Sequence, residues 1–183
     1  MKTQQNSKLD LRNLIYLAIF TALVVVVQFI PIRFGTFELA LSVPIIVIGA
    51  ALLGPLSGAW LGFVFSFVVL LLPSTAAYLS FNLFGTIVTV LLKGTLAGLA
   101  AGLVYRALQG FNRYVACLVS AVAATLVNTS VFLIGSLIFF ESDIATVIGV
   151  LISLNFIIEL IVNVVLVPTL YRIIEVGKNK FKI

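Results

Sequence analysis

Histidine is absent from the 183 residues, cysteine, methionine and tryptophan occur once each, and charged side chains make up only 9%. Without histidine the commonest metal ligand and general base is missing, and Cys117, alone, has no partner for an intramolecular disulfide. Both absences weigh against an enzyme, and no metal or cofactor is expected. No G-x-x-x-x-G-K-[ST] phosphate loop occurs, which excludes ATP hydrolysis by that route. H-E-x-x-H, C-x-x-C and a serine with a histidine partner are missing too, so zinc or serine–histidine proteolysis in a membrane is not supported. No polar or Pro/Ser-rich linker splits the chain, and a single domain over 1–183 is expected. The halves show no convincing inverted repeat, which disfavours a secondary transporter built from repeats.

What is present is apolar. Hydrophobic residues make up 62% of the chain and the mean hydropathy is +1.28, beyond what a soluble surface of this length tolerates. The sequence predicts an all-α integral membrane protein, a bundle of six transmembrane helices over about 11–30, 39–53, 56–72, 80–107, 114–140 and 145–171. The first run lacks an A-x-A-like processing site and reads as a retained helix. Pro31, Gly54-Pro55 and Pro73 punctuate the spans, and Pro44 makes the second one short or distorted. The pI of 9.6 comes from residues that flank spans, which is topology rather than nucleic-acid chemistry. Lys2, Lys8, Arg12, Arg106, Arg113, Arg172, Lys178, Lys180 and Lys182 fall on one side and Arg33 on the other, so the positive-inside rule places both termini in the cytoplasm.

The stretch from Asn82 to Arg106 concentrates the chemistry. Asn82, Thr86, Thr89 and Lys93 recur at steps of four, three and four and share one helix face. Lys93 lies about 16 Å along the helix at about 1.5 Å per residue, near the middle of a hydrocarbon core of about 30 Å. Gly94, Gly98 and Gly102 form a second row, and Gly58 and Gly62 another, each suited to close helix approach. Asn128 lies on a polar face of span five, and Asn155, Glu159 and Asn163 recur every four residues along span six. Lys93 and Glu159 are the ionisable residues deep in the spans and lie at similar depth. Either they neutralise one another and fix helix register, or they face a ligand. Together these polar groups describe a pocket opening outward for a small polar organic molecule, with Lys93 suited to a carboxylate or phosphate. Phe34 and Thr36 in the loop 33–38, with Phe37, Tyr78, Phe81 and Phe84, are placed to close over it.

The chain resembles the substrate-specific S components of energy-coupling factor (ECF) vitamin transporters. The residues that carry the resemblance are Ala18-x-x-x-Ala22, the GPLSGAWLG turn within PIIVIGAALLGPLSGAWLGFVFSFVVLL, the FNLFGTIVTVLLKGTLAGLAAGLVYR span, and the N-x-x-x-E-x-x-x-N stripe of NFIIELIVNVVLVPTLYR. The resemblance implies a multi-pass protein of a bacterial plasma membrane that captures a vitamin at the outer face. It implies docking, through Ala18 and Ala22, on a transmembrane coupling subunit driven by two cytoplasmic ATPases, as part of an ABC importer. It also implies that loop 33–38, the span-four stripe, Asn128 and the span-six stripe line the pocket. Pantothenate leads among the ligands expected, with cobalamin or a related corrinoid, riboflavin and a pyridoxine-type ligand as alternatives. Two other classes remain: a structural or regulatory membrane subunit whose polar stripes serve packing, and a membrane enzyme using Glu159 and Lys93 as acid and base.

Overall fold

The structure, a computed structural model, describes residues 2–30, 33–34, 37–38, 41–140 and 154–181, with side chains described over 11–30, 41–140, 156–172 and at Glu175. Seven α-helices occur among these residues: α1 (Lys2–Gln28), α2 (Ser42–Leu53), α3 (Pro55–Leu70), α4 (Ala76–Phe81), α5 (Leu83–Leu108), α6 (Arg113–Phe139) and α7 (Leu154–Phe181). Between α1 and α2 the backbone makes a two-residue antiparallel hairpin, β1 (Arg33–Phe34) with β2 (Phe37–Glu38), Arg33 opposite Glu38.

Among the described residues three helical segments, Leu11–Gln28, Leu83–Leu108 and Arg113–Phe139, are long and apolar enough to cross a membrane. A fourth is Pro55–Leu70 taken with Pro73–Phe81, a pair bent by 75°. Leu14, Ile19, Phe67, Leu103, Ile138 and Ile161 are among many large apolar side chains that stay exposed, as lipid-facing residues do when the surrounding solvent is itself hydrocarbon.

The short helix α2 is the hub. Its residues Ser42 to Ala50 are buried almost without interruption, the pattern of a helix apolar on all sides. One side joins Val24 of α1 with Leu61 and Phe65 of α3. The other meets Ala101 and Tyr105 of α5, Ala116, Cys117, Ala121 and Ala124 of α6, and Val167 and Tyr171 of α7. The turn into α3 needs Gly54, whose φ of 101° lies where a Cβ is disfavoured. Pro55 then starts α3 at a position where its missing N–H costs nothing.

Helices α3 and α5 meet backbone to backbone. A Cβ added at Gly58 would strike the Gly98 carbonyl, one at Gly62 the Gly94 carbonyl, and one at Gly102 would strike Pro55. The two glycine rows seen in the sequence are thus the two halves of one seam, as small residues permit. Helix α6 meets α5 through side chains set against glycines, Phe139 on Gly85 and Thr89 on Gly135.

Two local differences from the sequence reading stand out. The stretch 73–79, which the sequence reading leaves between spans three and four, forms a 3₁₀ turn over Pro73–Thr75 followed by α4 (Ala76–Phe81), because Pro73 starts a helical turn and Ala76 and Ala77 continue it. The span read from residue 80 begins as α5 at Leu83. Asn82 is extended there (φ −149°, ψ 95°) and its side chain accepts from Gly85 N, an N-cap that favours a break over continuous helix.

At the opposite end α5, α6 and α7 are tied by tyrosines. The Tyr105 and Tyr171 hydroxyls lie 2.7 Å apart, and the Tyr114 ring packs edge-on to Tyr171. Glu175 takes the Tyr114 hydroxyl at 3.2 Å and Arg113 at 3.1 Å.

Candidate functional site

Where α3, α4, α5 and α6 converge, the structure leaves a cavity of about 210 Å³. From α5 it is lined by Thr86, Thr89, Val90 and Lys93, and from the α3–α4 corner by Val69, Ser74, Thr75 and Tyr78; Phe132 and Phe140 complete it. Lys93 sits over the Phe132 ring, its Nζ 5.1 Å from the centroid, the position in which an aromatic face attracts an ammonium group.

Much of the hydroxyl chemistry here already serves the fold. Thr75 donates to the Val69 carbonyl at 2.7 Å, pinning the corner after α3. The single Thr86 hydroxyl proton faces two carbonyls, Tyr78 O at 2.8 Å and Asn82 O at 2.7 Å, and joins α4 to α5. Thr89 differs: its Oγ1 is buried and has no hydrogen-bond partner. Lys93 makes no salt bridge among the described residues, although Glu159 acts on it electrostatically. Among the described residues the salt bridge is Arg113–Glu175, and Lys93 and Glu159 do not form one. The cavity therefore presents, one helical turn apart, an ammonium outside any salt bridge among the described residues and a buried hydroxyl without a hydrogen-bond partner.

The remaining residues singled out in the sequence distribute as follows. Asn82 lies outside the cavity lining. It caps α5 and donates from Nδ2 to the Phe139 carbonyl at 3.1 Å, so both ends of its amide are engaged. Asn163 joins α7 to α6, its Nδ2 donating to Thr125 Oγ1 at 2.9 Å. Thr125 in turn donates to Ala121 O at 3.0 Å, which leaves its oxygen to accept and fixes the orientation of the amide. Asn128 Oδ1, Glu159 Oε1 and Asn163 Oδ1 are all buried without a partner. None of the three lines the cavity; Asn163 bridges α7 to α6, and Glu159 is near enough to Lys93 to act on it electrostatically without a salt bridge. Ala18 and Ala22 are exposed on α1, between exposed Leu14, Ile15, Ile19 and Leu23. Thr36 lies outside the described residues, as do the side chains of Phe34 and Asn155.

Sequence reasoning missed Val69, Ser74, Thr75, Val90 and Phe140 as lining residues. Val90 was within reach, since it falls four residues after Thr86 and three before Lys93 on the same face. The others enter through the bend after α3 and the end of α6, which periodicity does not reveal.

A helical bundle with long apolar helices and lipid-facing side chains is an integral membrane protein, and this one carries a cavity with an ammonium and hydroxyls in a largely apolar lining. Residues 12–171 match the family described as the ECF transporter, substrate-specific component, and the chain belongs to that family. Neither the curated proteins nor the solved structures provide a match.

Proposed function

We propose that this chain is the vitamin-capturing subunit of an ECF-type importer, a single bundle of six spans with both termini cytoplasmic. It takes a small water-soluble vitamin from the outer face and delivers it with a transmembrane coupling subunit and two ATPases. The exposed Ala18–Ala22 face of α1 is the docking strip for the coupling subunit. The observation that carries the ligand reading is Lys93, in no salt bridge among the described residues, beside the unpartnered Thr89 Oγ1 in the cavity next to Phe132. Glu159 acts on Lys93 only from beyond salt-bridge distance; an ammonium so placed favours an anion, and pantothenate, a small carboxylate with hydroxyl and amide groups, is the leading ligand. The volume of about 210 Å³ falls below the roughly 300–1,000 Å³ of drug-sized pockets, which argues against a corrinoid. Riboflavin and pyridoxine-type ligands stand behind pantothenate.

The test is ligand binding to purified protein, with mass spectrometry of whatever small molecule co-purifies. Lys93→Met removes the cation while keeping the length of the stem. Affinity for an anionic vitamin should fall by about one to two orders of magnitude, as for loss of a hydrogen bond to a charged group, while the protein still inserts and purifies. Unchanged affinity removes Lys93 from the site. A second reading, a structural or regulatory subunit without a ligand, draws on Asn82, Thr86 and Thr125, whose bonds all serve packing. Absence of binding across the B vitamins and corrinoids would favour it.

A further inference from the structure

The end of the bundle opposite the cavity gathers positive charge. The Tyr105 hydroxyl of α5 and the Tyr171 hydroxyl of α7 share a hydrogen bond of 2.7 Å, the Tyr114 ring of α6 stands edge-on to Tyr171, and Arg113 of α6 meets Glu175 of α7 at 3.1 Å. These contacts hold the ends of three helices level. Arg106 follows Tyr105 and Arg172 follows Tyr171, so both are carried to that level, and both are exposed. Exposed Arg12 joins them from α1. The chain after α2 packs Pro55 on Gly102, one turn before Arg106, whereas the far start of α2 bonds the end of α1 through Ser42 and Gln28. The beginning of α1 therefore returns to the level of Arg106.

The charge there is not neutralised. Among the described side chains the acidic group at this end is Glu175, already engaged by Arg113 and by the Tyr114 hydroxyl at 3.2 Å. Arg12, Arg106 and Arg172 make no salt bridge among the described residues. At the opposite end the single arginine, Arg33, stands across the hairpin from Glu38. The turn between α5 and α6 adds an apolar point to the basic end: Phe111 is 89% exposed between polar Gln109 and Asn112, a place unfavourable in water and favourable among headgroups. Membrane topology asks only for basic residues near the ends of spans. It does not ask that helix ends be tied together, with their arginines unpaired at one depth around an apolar tip.

We infer that this end docks on anionic phospholipid headgroups, with Arg12, Arg106 and Arg172 meeting lipid phosphates and Phe111 entering the layer between them. A guanidinium group suits phosphate because its forked N–H groups reach two oxygens at once. The long stem lets the charge reach the headgroups while its apolar part lies along the span. Anchors of this kind fix the depth and tilt of a bundle. The inference stands apart from the vitamin reading and, in a symmetric membrane, from which side is cytoplasmic.

The test titrates the purified full-length protein in detergent with phosphatidylglycerol, which is anionic, or phosphatidylcholine, which is zwitterionic. Thermal unfolding is followed by emission of Trp60, the one tryptophan. Phosphatidylglycerol should raise the midpoint at a concentration lower by about tenfold or more. Arg106→Gln and Arg172→Gln should each raise the phosphatidylglycerol concentration required by about fivefold, the scale of one basic residue at an anionic surface, and high salt should weaken the effect in the unsubstituted chain. Arg106→Lys with Arg172→Lys should keep most of the preference, which separates charge from a purely structural part. Arg33→Gln should leave it unchanged. Equal midpoints with the two lipids overturn the inference, as does a preference that survives loss of both arginines or falls equally with Arg33→Gln. If glycerol 1-phosphate, which has no acyl chains, reproduces the full effect, the partner is a free phosphate and the lipid surface is overturned.

Discussion

Replacing Gly62 by alanine tests whether the α3–α5 seam holds the cavity in shape. A Cβ at Gly62 would overlap the Gly94 carbonyl oxygen, reach 2.7 Å from Gly94 C and 3.3 Å from Thr95 Cα. Carbon atoms prefer about 3.5–4.0 Å, so the helices must part by about 1 Å. All three neighbours are backbone, and no side-chain rotation relieves the clash. Overpacking of this kind costs about 1–3 kcal/mol, and the rigid surround puts Gly62→Ala in the upper half of that range. At about 2–4 °C per kcal/mol for a chain of this size, the unfolding midpoint should drop by about 5–10 °C. The emission of the one tryptophan, Trp60, reads this directly, because it sits on α3 with its Nε1 bonded to Thr21 Oγ1 at 3.3 Å. Lys93 precedes Gly94, so vitamin binding should weaken in parallel. Gly110→Ala is the control, since nothing lies within 4 Å of the added atom. Equal midpoints for Gly62→Ala and Gly110→Ala would refute the backbone-to-backbone seam.

Three further outcomes follow from the same packing. Thr125→Val and Asn163→Leu each remove the 2.9 Å bond between α6 and α7, and a double-mutant cycle on thermal unfolding should return a coupling of about 0.6–1.7 kcal/mol; additive effects would deny the bond. Tyr105→Phe leaves the Tyr171 hydroxyl, in a side chain only 5% exposed, without its 2.7 Å partner, a loss of about 1–3 kcal/mol. Tyr105→Phe with Tyr171→Phe should recover part of that loss, and a double variant no more stable than the single one would contradict it. Replacing Ala18 and Ala22 by leucine should spare vitamin binding to the purified protein, since both are exposed, but abolish uptake in cells holding the other subunits. Equal loss of both activities would contradict a docking role for α1.

The polar stripes show how far a pattern carries. Thr86, Thr89 and Lys93 share a face by spacing and do line one cavity. Asn82 obeys the same spacing, yet it lies at the cap, where its amide is used by Gly85 N and Phe139 O. The signal for that exception was present, an asparagine three residues before Gly85 at the head of an apolar run. On the partner helices spacing was less informative. Asn128, Glu159 and Asn163 do not line the chamber with Lys93, and Lys93 and Glu159, matched in depth, act on one another electrostatically without forming a salt bridge. Depth follows from counting residues along a helix, whereas contact depends on how each helix is rotated about its axis.

By itself, the sequence determined the apolar helical character, the Gly54-Pro55 turn, and which residues lie on a common face, because those follow from hydropathy, local sterics and a period of 3.6 residues. Tertiary structure alone decided that Gly58 and Gly62 meet Gly98 and Gly94, that the chain bends by 75° between α3 and α4, and that Val69, Thr75 and Phe140 close around Lys93. The physical reason is that a helix face has no partner until packing chooses one. In hydrocarbon that choice rests on how closely backbones can approach and on where the last polar groups find their bonds.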